Sequence, residues 1–343
     1  MKTKSWVRIW FIVIIIILFV GSLFRYYGEY NLFNLERIII ETKKKWVNTQ
    51  SFSEFDYIII GSSKTLAINP KIIEDNIGLK GINLSMGGCN IICEYYTLKN
   101  IIKNNIKVPK LYINIIPEQL SKYSIYSYRK YGQKYLRYYF NENEAKEINN
   151  YLPNFYDFYT EVNKINYRIN SDSFYIKSML IEFEYLIKYG KTASKLLYSE
   201  LNKTKGFYLF SEPVFSDKVN TEFNSNNYIN INHKLNENLP EVSELYFNKL
   251  LELLKNNSID YKFFFSPFQV HMAEYSNLSF SKSMKLFGSL DNKLIKHVLL
   301  QDKQYFVDES HLNYSGSLVY NDWFINRVLV NNGNKTYKEY LLK

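Results

Sequence analysis

The chain has 343 residues, and at about 150 residues per domain that length suggests roughly two domains. Hydrophobic residues make up 46% and charged residues 22%, ordinary globular usage that excludes a wholly disordered, collagen-like or coiled-coil chain, while two cysteines exclude a disulfide-rich scaffold and a multi-cysteine zinc module. The 43 Lys and Arg against 33 Asp and Glu leave a net charge of +10, the balance of proteins that meet nucleic acid, anionic membrane surfaces or anionic polymers.

The amino terminus favours the membrane. Ile9 to Phe24 reads IWFIVIIIILFVGSLF without a charge, and Trp6, Val7, Tyr26 and Tyr27 extend it to about the 20 residues a bilayer needs. Trp6, Trp10, Tyr26 and Tyr27 are candidate interfacial anchors. Lys2, Lys4 and Arg8 precede the run, so the positive-inside rule places the amino terminus in the cytoplasm and the remainder outside the cell membrane. Basic residues also follow the run, at Arg25, Arg37 and Lys43 to Lys45. Val20-Gly21-Ser22 is weakly like a signal-peptide cleavage site, but bulky Leu23 and Phe24 follow at once, so the segment reads as a retained single-pass anchor. Against this, no zinc-finger spacing, RNP-like motif or dense basic tract supports nucleic acid.

Residues 1–27 are thus an expected transmembrane anchor, and 28–54 a juxtamembrane connector, partly helical around Leu32 to Val47. Beyond them, short apolar runs alternate with helical patterns. The runs are Asp56 to Ile60, Gly81 to Met86, Lys110 to Ile116, Tyr261 to Phe265 and Gln304 to Val307. Asn90 to Asn104 carries apolar residues at helical spacing. Continuous apolar strands alternating with helices imply an α/β fold with a parallel sheet covered on both faces. In such sheets chemistry lies beyond the carboxyl ends of the strands. Residues 120–243 break the rhythm, hold much of the tyrosine, and read as a helical insertion capping the site, with Asn220 to Asn238 as a loop.

Three strand ends carry residues suited to chemistry. The first is Gly61-Ser62-Ser63-Lys64, where a serine between strand and helix is placed for nucleophilic attack or simply caps a turn. The second is Asn83-Leu84-Ser85-Met86-Gly87-Gly88, where glycine either lets an amide approach an oxyanion or serves a tight turn. The third is Asp308-Glu309-Ser310-His311. There His311 is a candidate general base oriented by Asp308, the alternative being a helix cap formed by Asp308 or Ser310.

Together these blocks resemble the SGNH (GDSL-type) hydrolase superfamily, in the family's order and spanning residues 56–320, with the insertion left uncovered. Gly61-Ser62-Ser63-Lys64 looks like the Gly-Asp-Ser-Leu block, Asn83 to Gly88 like the second block, and Asp308 to His311, continued by Leu312 to Gly316, like the last. The resemblance implies a three-layer α/β/α domain over 55–343 with a flavodoxin-like parallel sheet. It implies a catalytic Ser63, Asp308 and His311, an oxyanion hole from the amides of Ser63 and Gly88, and no cofactor or metal. Two positions depart from the pattern: Ser62 replaces an aspartate, and Pro117 stands where the third block has its oxyanion asparagine. With the anchor, these departures look similar to the branch that includes DltD-like and polysaccharide O-acetylation proteins. That branch implies transfer of an acetyl or D-alanyl group to a cell-envelope polysaccharide or teichoic acid, beside a membrane-bound O-acyltransferase partner. A carbohydrate esterase and a non-catalytic glycan-binding scaffold are the alternative readings.

Other features weigh less. Cys89 and Cys93 lie four apart on the expected helix, where a disulfide would be strained, so they read as small buried core residues. His271, after the fourth run, is the fallback base. Tyr126 to Phe140 alternates tyrosine with Arg129, Lys130, Lys134 and Arg137, either a surface for sugar rings and anionic polymer or a solvated helix face. Glu118 lies beside Pro117 and could touch the pocket.

Overall fold

The structure, a computed structural model, describes residues 6, 10–15, 35–105, 107–115, 139–164, 172–209, 241–264, 266, 294–295, 305–307 and 311–330. Of the expected anchor, residues 10–15 are helical, and Trp10, Phe11 and Ile12 are exposed. Among the described residues no helix is long and apolar enough to cross a membrane.

The expected connector begins the folded core. Helix α1 (Leu35–Thr49) buries Ile39, Ile40 and Val47 in the main hydrophobic cluster. Strand β1 (Tyr57–Ile60) is buried at every residue, as its β-branched run requires of a central strand. A short 3-10 helix (Ser63–Ala67) follows, then α2 (Pro70–Ile77). Asn69 caps α2 by accepting from the amides of Lys71 and Ile72, and Pro70 opens it. Next come β2 (Gly81–Asn83) and α3 (Ile91–Asn104), the latter capped by Asn90, and β3 (Lys110–Asn114). Helices α4 (Glu142–Asn149), α5 (Phe155–Lys164), α6 (Asp172–Tyr189) and α7 (Ala193–Thr204) fall in the insertion. Helix α8 (Glu241–Asn256), β4 (Tyr261–Phe264), a two-residue β5 (Leu294–Ile295) and α9 (Tyr314–Trp323) complete the order, with a π-helical turn at Phe324–Leu329.

The fold is mixed α/β. All described strands are parallel, in the order β2-β1-β3-β4-β5. The pleat divides their side chains between two clusters. Ile58, Ile60, Leu111, Ile113 and Phe263 join the cluster with α1, α3 and α8. Tyr57, Ile59, Tyr112 and Phe264 join the one with Tyr320, Trp323 and Phe324. Because β2 and β3 lie on opposite sides of β1, the order reverses there, and the crevice beyond the end of β1 is the usual ligand position in such sheets.

One expectation is corrected. Gln304 to Val307 was expected to be a strand of the sheet. Instead Phe306 makes a single antiparallel bridge with Leu312 in its own loop, and Leu294–Ile295 pairs with β4. Within the insertion, Phe140, Ile148, Phe155, Leu197 and Leu201 share the main cluster with Ile58 and Ile113. Its end also braces the sheet, because the Asn83 amide donates to Lys205 O (2.9 Å) and the Tyr208 amide to Leu66 O (2.9 Å).

Candidate active site

Ser63 opens the 3-10 helix, three residues past the end of β1. The ordered turn behind it is held by Asn83, whose fully buried Nδ2 donates to Thr65 O (2.8 Å) and Ile68 O (2.9 Å) while its Oδ1 accepts from the Ser85 amide (3.0 Å). The asparagine that opens the second block thus clamps the serine's helix to the loop that follows β2. Pairing continues past β2 as the Leu84 and Met86 amides donate to Ile59 O (2.8 Å) and Gly61 O (3.0 Å). This ties Met86, which opens the Gly87–Gly88 turn, to Gly61, two residues before Ser63.

His311 reaches the same place from the other end of the chain. Its carbonyl accepts from the Val307 amide (3.0 Å), and the Asn313 amide donates to Tyr305 O (3.0 Å), closing the loop on itself. Asn313 caps α9 by accepting from the Gly316 amide (2.9 Å). Asn313 is thus the N-cap of α9, and Asp308 and Ser310 lie outside the described residues. Helix α9 is then fixed to the far end of the serine's 3-10 helix by Asn321. Its Nδ2 donates to Ala67 O (3.0 Å) and its Oδ1 accepts from the Asn69 amide (2.7 Å). The outcome is a hydrogen bond of 2.9 Å between His311 Nε2 and Ser63 Oγ, across 248 residues of sequence. With Nε2 unprotonated, the serine hydroxyl donates to it, the ground-state geometry of a serine and its general base. Both side chains are partly exposed, so an ester can approach.

Asp308, Pro117, Glu118 and His271 lie outside the described residues, as does Tyr126 to Phe140 apart from Tyr139 and Phe140. Gly88 sits exposed in the turn with φ +70°. Ser62 precedes the 3-10 helix without capping it by its side chain.

The cysteines are buried as expected, but they are joined to each other in a disulfide. The expectation of a helical pair fails because α3 starts at Ile91, behind the Asn90 cap. Cys89 belongs to the preceding turn, its amide donating to Met86 O (3.2 Å). The two Cα atoms are 5.3 Å apart, inside the range a disulfide spans.

Three residues near the site gave no sign in the sequence. Lys43 of α1 is completely buried and donates from Nζ to Ser85 O (2.8 Å) and Gly206 O (2.7 Å). Loss of solvation pulls its ammonium well below the ordinary lysine range. Tyr139 donates its hydroxyl proton to Gly87 O. Asn321 holds α9 as described. The amphipathic pattern of α1 marks Lys43 only as one polar position among several, and Asn321 only as a polar residue in a helix.

No protein-family model matches the chain, and no curated protein sequence does either.

Proposed function

We propose that the chain is a membrane-anchored serine O-acyltransferase or esterase of SGNH type, acting on acetyl or D-alanyl esters of a cell-envelope polysaccharide or teichoic acid. The observation that carries this reading is the 2.9 Å contact of Ser63 Oγ with His311 Nε2 at the switch point of a parallel sheet. On this reading the domain is a three-layer, flavodoxin-like α/β/α unit with the tyrosine-rich insertion beside its site.

The chemistry follows from these groups. Ser63 Oγ attacks the ester carbonyl carbon while His311 Nε2 takes the hydroxyl proton. The oxyanion lies against the amides of Ser63 and Gly88. His311 returns the proton to the departing alkoxide, leaving an acyl-Ser63 ester. His311 then takes the proton of a sugar hydroxyl or water, which attacks that ester, and returns it to Ser63 Oγ as the acyl–oxygen bond breaks. Asp308, three residues before His311, would hold the imidazole tautomer and balance its charge. A multi-pass O-acyltransferase is the partner that would deliver the acyl group across the membrane.

Support for an extracytoplasmic site comes from Lys2, Lys4 and Arg8 ahead of the apolar run, and from the Cys89–Cys93 disulfide, a bond that persists in oxidising compartments. The test is labelling of the full chain in detergent with a fluorophosphonate probe, together with hydrolysis of an aryl acetate. The probe is expected on Ser63, and Ser63→Ala or His311→Ala should each lower turnover by about 10³-fold or more. Unchanged turnover in Ser63→Ala would overturn the proposal.

A further inference from the structure

We infer that Tyr139, a residue of the insertion, is the positioning residue that sets the orientation of the Gly87–Gly88 peptide and so aims the Gly88 N–H at the oxyanion. The inference rests on the proposed role of Gly88 as an oxyanion donor.

Met86 to Cys89 is a β-turn closed by the Cys89 amide on Met86 O (3.2 Å). Of its two central residues only Gly88 has positive φ, +70°, which is the type II form. Types I and II differ by rotation of the central peptide, here Gly87–Gly88, and with glycine at both central positions neither form is sterically penalised. The flanks of the turn cannot choose between them. Met86 is tied to Gly61 (3.0 Å) and Cys89 to Cys93, and these anchors survive the rotation.

What distinguishes the two forms is the direction of the Gly87 carbonyl. The Tyr139 hydroxyl donates to that oxygen, and lies 3.3 Å from the position a Cβ on Gly88 would take. Carbonyl and N–H of one trans peptide point in opposite directions. Holding Gly87 O therefore turns the Gly88 N–H to the other side of the turn, and the hydrogen bond also polarises that N–H as a donor. Among the described residues no acceptor occupies the Gly88 N–H. Tyr139 is itself buried, with its ring against Phe140, so the hydroxyl is held by a fixed scaffold. A Tyr-fixed donor is one physical answer to the proline at position 117, since a site with fewer donors depends more on the aim of those it keeps.

The test is Tyr139→Phe in the full chain, which removes the hydroxyl and keeps the ring. Aryl acetate hydrolysis should lose between about ten-fold and 10³-fold in kcat, the upper figure being that for losing one oxyanion donor outright. KM and the urea midpoint should stay within two-fold and within error. A trifluoromethyl ketone, which forms the tetrahedral adduct, should bind more weakly by a similar factor. A crystal structure of the variant should show Gly88 with negative or mixed φ. If wild-type turnover depends on Ser63 but Tyr139→Phe keeps kcat within two-fold, the inference fails alone. The same holds if kcat falls only in step with stability, or if the turn is unchanged in the crystal. If wild-type turnover does not depend on Ser63, the functional reading fails and takes the inference with it.

Discussion

Gly206→Ala tests whether the insertion holds the site together. Gly206 has φ +98°, and a Cβ there would lie 2.1 Å from Asn83 O and 3.4 Å from Lys43 Cε. The obstacle is backbone and cannot swing away, so the segment must retreat by about 1 Å or more to restore contact distances. Retreat stretches two bonds: Asn83 N–H to Lys205 O (2.9 Å) and Lys43 Nζ to Gly206 O (2.7 Å). The positive φ costs an alanine about 1–2 kcal/mol, a neutral hydrogen bond about 1 kcal/mol and a charge-assisted one about 1.5–3 kcal/mol. With partial relaxation the loss should be about 3–4 kcal/mol, large against a total stability of about 5–15 kcal/mol. Gly78→Ala is the control, because Gly78 also has positive φ (+74°) but nothing within 4 Å of its added Cβ. Urea denaturation of both variants, followed by far-UV circular dichroism, separates strain from collision. Equal losses in the two variants would refute the claim that residues 205–208 are clamped to the end of β2. Because Asn83 also carries the serine's helix, Gly206→Ala should slow fluorophosphonate labelling of Ser63, whereas Gly78→Ala should not.

Three further outcomes follow from the same contacts. Lys43 has a depressed folded value, so between that value and the ordinary 10.5 the unfolded chain binds more protons and folding gains stability as pH rises; the stability of wild type minus that of Lys43→Met should therefore increase from pH 7 to pH 9.5, and a flat difference would mean that Lys43 is solvated. Asn321→Ala strips partners from the buried Asn69 amide and Ala67 carbonyl, which should cost about 2–4 kcal/mol at about 1–3 kcal/mol per orphaned group and slow labelling of Ser63, as read by urea titration and probe kinetics. Iodoacetamide should modify neither cysteine in the urea-unfolded, unreduced chain and both after reduction, while Cys89→Ser with Cys93→Ser should cost no more than about 2 kcal/mol, since the closed loop is short.

Four of the five described strands were legible because burial on both faces leaves a continuous apolar run, and each of those runs ends at a turn residue. The Phe306 run failed for the same reason that the others succeeded. Three apolar residues, Tyr305 to Val307, satisfy a buried strand and a folded-back loop alike, and what decides is the partner, here Leu312. The connector shows the converse. Residues 35–49 contain three consecutive lysines, noted in the sequence only as basic residues after the apolar run, yet α1 buries Lys43, where two carbonyls from distant segments meet its ammonium. No local pattern contains Ser85 or Gly206, so no local pattern could have predicted that burial.

The site divides along the same line. Ser63 was readable because the end of β1 projects into the crevice, a consequence of topology that any parallel sheet shares, whereas His311 follows a folded-back loop and was readable only from the Asp308–His311 block. The bonds that hold the two segments in place were not readable, since Asn83 and Asn321 act on backbone groups rather than on Ser63 or His311. A backbone group carries no side-chain signature, so its partner cannot be recognised before the chain is folded. On the proposed reading alignment sets the rate: a serine and a histidine within reach of each other are common, and a pair held from both sides by buried amides is what turns 2.9 Å of proximity into a fixed geometry. The insertion reaches the same region through Tyr139 on Gly87 O and through residues 205–208 on Asn83 and Leu66. It is therefore part of the catalytic architecture on this reading, and its removal should cost turnover even where the sheet still folds.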